Sequence, residues 1–122
     1  MKDEMKHPVD LKQRTKQFAL RIIRLYSSLP TTTVAQVIGK QVLRSGTSVG
    51  AHYREAMRAR STAEFVSKID GGLQELEETT YWLELLVESG ILSSDKLSSL
   101  QQEAEELIAI LVTCSKNAKE KK

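Results

Sequence analysis

Three observations predict an all-α fold, an antiparallel up-down-up-down four-helix bundle. Apolar residues recur at three- and four-residue spacing in four separate runs, the period of a helix with one buried stripe. Each run opens on a Ser, Thr or Asp placed to cap a helix start. No segment alternates apolar and polar residues as a half-buried strand does, and the connections are short. Short loops make consecutive helices antiparallel neighbours.

The first helix is predicted near 10–29, with Pro8 before it and Asp10 as its cap. Leu11, Thr15, Phe18, Ile22, Leu25 and Leu29 form its dominant face, which Ala19, Ile23 and Tyr26 widen. Pro30 ends it. Thr33-Val34-Ala35-Gln36 fits a capping box, so the second helix is predicted near 33–58. Its seam is Ala35, Ile38, Val42, Val49, Tyr53 and Ala56, with Ser45, Ser48 and His52 on or beside it.

Ser61-Thr62-Ala63-Glu64 is another capping box and opens a third helix near 62–89, closed by Gly90. Phe65, Ile69, Leu76, Leu83 and Leu86 form its seam. Ser93-Ser94-Asp95 opens a fourth helix near 94–117, carried by Leu97, Leu100, Ala104, Leu107, Leu111, Cys114 and Ala118. Ile22, Val42, Ile69, Leu83, Leu107 and Leu111 are the expected core.

The chain is 122 residues long, 40% hydrophobic and 28% charged, with net charge +2. This is enough for one domain with its own core, without metal or disulfide staples. Residues 1–122 read as that single domain, with 1–9 and 118–122 as loose tails. The lone Cys114 permits no internal disulfide and suits a reducing cytoplasm. The start, MKDEMKHPVD, lacks the apolar run of a signal peptide, and no window is apolar enough to span a bilayer.

The stretch from Arg44 to Gly90, a helical hairpin turning near Arg60, is the most informative. In such a pair, facing positions add to about 120. Ser48 is then expected to face Gly72, His52 to face Lys68, and Ser45 to face Glu75. Arg44 comes within reach of Glu75 or Glu78. Gly46 and Gly50 in one helix, and Gly71-Gly72 in the other, predict close approach of the two backbones. Glycine inside a helix costs roughly 1 kcal/mol relative to alanine and calls for such a reason. Trp82 lies beside the seam and suits either the core or a subunit surface.

Several chemical motifs occur here without their required context. Gly46-Thr47-Ser48-Val49-Gly50 matches the G-x-S-x-G elbow, but that elbow needs a preceding strand and a downstream histidine. His52 and Glu55 give His-x-x-Glu once, the reverse of the Glu-x-x-His pairs of di-iron bundles. Glu75 and Glu78 read as partners of Arg44 rather than as an acid–base pair. The expectation is a protein without a catalytic site, metal or cofactor. The cations Arg54, Arg58 and Arg60 cluster near the turn, and Lys12, Lys16 and Arg21 lie on the first helix. Clustered cations suit phosphate contact, although the glutamates of the third and fourth helices balance them.

RSGTSVGAHYREA, followed by AEFVSKIDGGLQELEETTYWLELL, resembles the family of small four-helix-bundle proteins named for 23S rRNA intervening sequences. That family is similar to the accessory protein of diversity-generating retroelements. The resemblance covers roughly residues 10 to 115. His52 stands where the family pattern has asparagine, so the hydrogen bond of that asparagine has no certain counterpart. The resemblance implies an antiparallel bundle, a ring-like homo-oligomer of five copies, and RNA or DNA as partner. The alternative is a scaffold that engages another protein.

Overall fold

The computed structural model describes residues 10–121. Four helices fill it in order: α1 (Leu11–Ser27), α2 (Thr33–Met57), α3 (Thr62–Glu88) and α4 (Ser94–Lys121). No strand occurs among the described residues. Among the described residues, no helix is long and apolar enough to cross a membrane.

The helix starts follow the caps. Asp10 Oδ1 accepts from the Gln13 N–H at 3.0 Å, and Ser61 Oγ accepts from the Glu64 N–H at 3.0 Å. The Glu64 carboxylate returns to the Arg60 N–H at 3.0 Å, one residue before the cap. The box expected at Thr33 is replaced by a cap at Thr32, whose Oγ1 accepts from Ala35. Gln36 is diverted because it bonds outside its own turn, donating to the Pro30 carbonyl and accepting from Tyr26. The end of α3 satisfies its last carbonyls with a Schellman motif. Gly90 takes φ +81° while the Gly90 and Ile91 N–H groups bond the Val87 and Leu86 carbonyls. Helix α4 runs to Lys121, beyond the expected 117, so 118–121 is helical. Residues 1–9 and 122 lie outside the described residues.

The helices are antiparallel to their neighbours. Along α1–α2, sites on Gly39, Gly46 and Gly50 meet Leu29, Ile22 and Thr15 in turn. Arg44 and Glu55 of α2 reach Glu75 and Lys68 of α3 in reverse order. Arg14 and Arg21 of α1 reach Glu103 and Ser99 of α4. Phe18, Ile22, Val42, Val49, Ile69, Leu76, Leu83, Leu86, Leu107 and Leu111 fill the centre with no more than 1% exposure. Near the end of α4 the buried position moves from the expected Cys114 to Ser115. Three-four spacing drifts around a 3.6-residue helix, and Ser115 turns inward to donate to Asp70 Oδ1 at 2.7 Å.

Candidate nucleic-acid interface

The up-down order brings the start of α1, the end of α2, the start of α3 and the end of α4 to one end of the bundle. Cations gather there for a local reason: Arg54 sits in the last turn of α2, and Lys119 and Lys121 in that of α4. Helix C-termini favour positive charge. Lys12, Arg54 and Arg58, with Met57, line a shallow cleft of about 110 Å³. Arg60 stands on the far side of the turn. With Phe65, Ala118 and Lys121 it lines a second cleft of about 300 Å³. Lys16 is exposed one turn along α1 from Lys12.

Arg21 is not part of this group. It lies at the opposite end, lining a cleft of about 370 Å³ with Arg24 and Lys96, and donates to Ser99 Oγ at 2.9 Å. About two and a half turns of helix separate it from Lys12, which places it apart from the cluster at the helix turn.

The ion pairs divide the cations into two sets. Arg14, Arg44, Lys68 and Lys119 each have a carboxylate within 4.0 Å. Among the described residues, Lys12, Lys16, Arg54, Arg58 and Arg60 share no such pair. Among the described residues, then, no carboxylate offsets their charge.

The hairpin constellation is structural. Arg44 spans Glu75 and Glu78 at 3.0 and 2.7 Å, as its position predicts. The hydrogen bond it donates to Glu78, chiefly, raises the guanidinium's proton affinity, and the one to Glu75 adds to it. The facing partners of the other residues sit about one turn away from expectation. Ser45 meets Thr79 rather than Glu75, with hydroxyl oxygens 2.7 Å apart and no exposure. His52 lies on Gly71 and Gly72 rather than on Lys68. Lys68 instead pairs with Glu55 at 3.0 Å, whose carboxylate is held below its ordinary range by that hydrogen bond. Ser48 does not pack on Gly72: its Oγ donates to the Arg44 carbonyl at 2.6 Å, inside its own helix, and Val49 O and His52 Cβ take its place there.

The glycines also divide. Gly71 and Gly72 admit the His52 ring: a Cβ at Gly71 would stand 3.0 Å from Nδ1. Gly46 and Gly50 face α1, not α3. A Cβ at Gly46 would lie 2.7 Å from Ile22 Cγ1, and one at Gly50 3.1 Å from Thr15 Oγ1. The small-residue contact expected between α2 and α3 is thus two contacts on two sides of α2. His52 Nδ1 and Trp82 Nε1 are buried without a hydrogen-bond partner among the described residues. Trp82 is half-buried against the core, its ring 5.1 Å from that of Tyr81.

Two polar links escaped the sequence. Arg14 Nε and Nη2 donate to Glu103 at 2.7 and 2.9 Å, and Nη2 also to Glu106 at 2.6 Å. The Glu103 hydrogen bond, chiefly, raises the guanidinium's proton affinity. This clamp ties the first helix to the last. Asp70 accepts from Ser115 and lies 3.7 Å from Lys119, tying α3 to the end of α4. The three-residue spacing of Glu103 and Glu106 was the available signal, since it puts both on one helix face. The partner helix follows only from the fold.

The fold and this polar inventory define a class: a small four-helix bundle with structural ion pairs between its helices and, among the described residues, cations without a carboxylate partner at one end. A family model described as 23S rRNA-intervening sequence protein matches residues 8–113. The chain belongs to that family. It is similar to a crystal structure, at 1.70 Å, of a protein of unknown function from the S23 ribosomal protein family of Bacteroides thetaiotaomicron. The two share 39% identity with a TM-score of 0.81, over 86% of this chain and 97% of that one. No curated protein matches.

Proposed function

We propose that this protein is a non-catalytic, self-associating nucleic-acid-binding protein of the cytoplasm, contacting phosphates through the end of the bundle that carries the helix turn. The observation that supports it most is the contrast between cations. Arg14, Arg44 and Lys68 are neutralised by carboxylates, whereas Lys12, Arg54 and Arg58 share a cleft with none, among the described residues. Arginine's planar fork suits phosphate, to which it donates two hydrogen bonds at once. Nothing in the arrangement reads bases, so the contact is largely sequence-independent. The family resemblance supports a ring of five copies, and a ring multiplies a modest patch around one face. The single half-buried cysteine supports the compartment.

The test is titration of RNA and of duplex DNA at two salt concentrations. Binding should weaken steeply with salt, because neutralising phosphates releases counterions. An oligomeric protein that binds neither at low salt overturns the nucleic-acid role. A second reading, a scaffold for another protein, is favoured by the exposed apolar side chains Val34, Val37 and Tyr81, all more than half exposed. Partner binding insensitive to salt would support it.

A further inference from the structure

The seam between α1 and α4 is the most open in the bundle, these two helices being the least closely packed of the neighbouring pairs. Along it the polar partners change. Arg14 meets Glu103 and Glu106. About two turns further along α1, Arg21 meets the Ser99 hydroxyl at 2.9 Å. Beyond that, where Arg24 stands on α1 and Lys96 on α4, the seam parts into the cleft of about 370 Å³. Arg21, Arg24 and Lys96 line it from both walls, and among the described residues no acidic side chain lines it. None of the three has a carboxylate within 4.0 Å among the described residues.

Helix stability explains only part of this gathering. Arg24 sits in the last turn of α1, where a cation is favoured. Lys96 sits near the start of α4 at Ser94, the positive end of that helix. A cation is disfavoured there. Asp95, which suits the helix start, is exposed and does not line the cleft. Like charges therefore converge on one concave surface, an arrangement that costs free energy until an anion enters it.

The floor selects the rest of the ligand. It is made by Leu25, Leu92, Leu97 and Leu100. Leu97 and Leu100 are buried, whereas Leu25 and Leu92 are partly open. Among the described residues, no aromatic ring lines the cleft on which a base could stack, and no side-chain amide that could read one. A bare inorganic anion would leave the leucines wet. From Arg21 to Ser28 the α1 wall runs two turns, about 11 Å.

We infer that this cleft is a binding site for a small carboxylate with an aliphatic tail, its head between Arg24 and Lys96 and its tail along the leucines. The Arg24 fork holds both carboxylate oxygens, and the Lys96 ammonium meets one of them. Sites for small ligands are concave and mostly apolar, with a few charged groups that fix orientation. This one lies at the opposite end of the bundle from Lys12, Arg54 and Arg58. It is separate from the phosphate-contacting end and does not depend on it.

The test is isothermal calorimetry of the full chain with octanoate, with acetate as the head alone and octan-1-ol as the tail alone. Octanoate should bind saturably. Both controls should bind at least about tenfold more weakly, since roughly two buried methylenes, or one hydrogen bond to a charged group, correspond to a factor of about ten. Arg24→Ala and Lys96→Ala, both at exposed positions, should each weaken octanoate by about tenfold. Lys116→Ala removes the same charge from an exposed position outside the cleft and should change nothing. Backbone amide resonances should shift within residues 21–28 and 92–100. Absence of saturable octanoate binding overturns the inference. So does acetate that binds as tightly, binding that survives in both cleft variants, or shifts confined to the helix-turn end. Phosphatidylglycerol vesicles that bind where octanoate does not would replace it with a lipid surface. Failure to bind RNA changes none of these readouts.

Discussion

Ser45 of α2 and Thr79 of α3 place their hydroxyl oxygens 2.7 Å apart with no solvent exposure at either residue. Thr79 Oγ1 donates its proton to the Glu75 carbonyl at 2.8 Å, so Ser45 is the donor of the pair. The two helices are thereby joined by one directional chain through an otherwise apolar seam.

The direction gives unequal costs. Thr79→Val keeps the shape but leaves the Ser45 hydroxyl buried with no acceptor, and should cost about 1–3 kcal/mol. Ser45→Ala leaves Thr79 still bonded to Glu75 and should cost less. Urea denaturation of both variants, and of the double variant, decides it. Equal losses would contradict Ser45 as the donor.

Gly50 meets Thr15 of α1. Gly50→Leu should therefore loosen α1 from α2, with a loss typically about 1–3 kcal/mol from overpacking. Hydrogen exchange should locate the effect in residues 11–27 rather than in α3. A variant as stable as wild type would contradict the close approach.

The Arg14 clamp is the main polar tie across the α1–α4 side. Removal in Arg14→Ala leaves Glu103 and Glu106 facing each other without a cation. The expected loss is about 1 kcal/mol, the upper end for partly exposed pairs, because the geometry is bidentate. Arg14→Lys should not restore it, since an ammonium cannot reproduce the fork. Full rescue by lysine in thermal melts would reduce the clamp to simple charge.

Glu55 is held below its ordinary value of 4.5 by the hydrogen bond from Lys68. A depressed folded pKa means that the pair contributes above the unfolded value and is lost as pH falls through the folded one. Stability of wild type relative to Lys68→Ala should be highest at neutral pH and converge below that window. A difference that grows on acidification would reverse the sign and refute the assignment.

Local chemistry was the legible part of this chain. The Ser61 cap and the Gly90 stop are each settled within a few residues, so sequence reading placed both ends of α3 within one residue. The Arg44 grip was legible because a long side chain tolerates an error of register: it reaches two carboxylates one turn apart. Ser45 and His52 have no such reach, and the short turn at Ala59–Ser61 displaced their partners by about one turn. Gly46 and Gly50 lie on a flank whose neighbour, α1 or α3, depends on how far α2 is rotated, a fact of packing. The clamp from Arg14 to Glu103 spans most of the chain and no spacing rule reaches it. Of the six expected phosphate contacts, Arg21 lies apart from the other five, because order along one helix says nothing about which end of the bundle a residue reaches.

The most direct measurement is the affinity for a generic RNA at low and at raised salt, for wild type and for the Arg54→Ala/Arg58→Ala/Arg60→Ala variant. All three positions are exposed and unpaired among the described residues, so the variant should keep the wild-type fold and mass. Phosphate contact at the helix-turn end predicts weaker binding at low salt and a shallower salt dependence, by about one unit of slope for each phosphate left without its arginine. Unchanged affinity and slope in the variant would contradict it and place the binding on another face of the bundle.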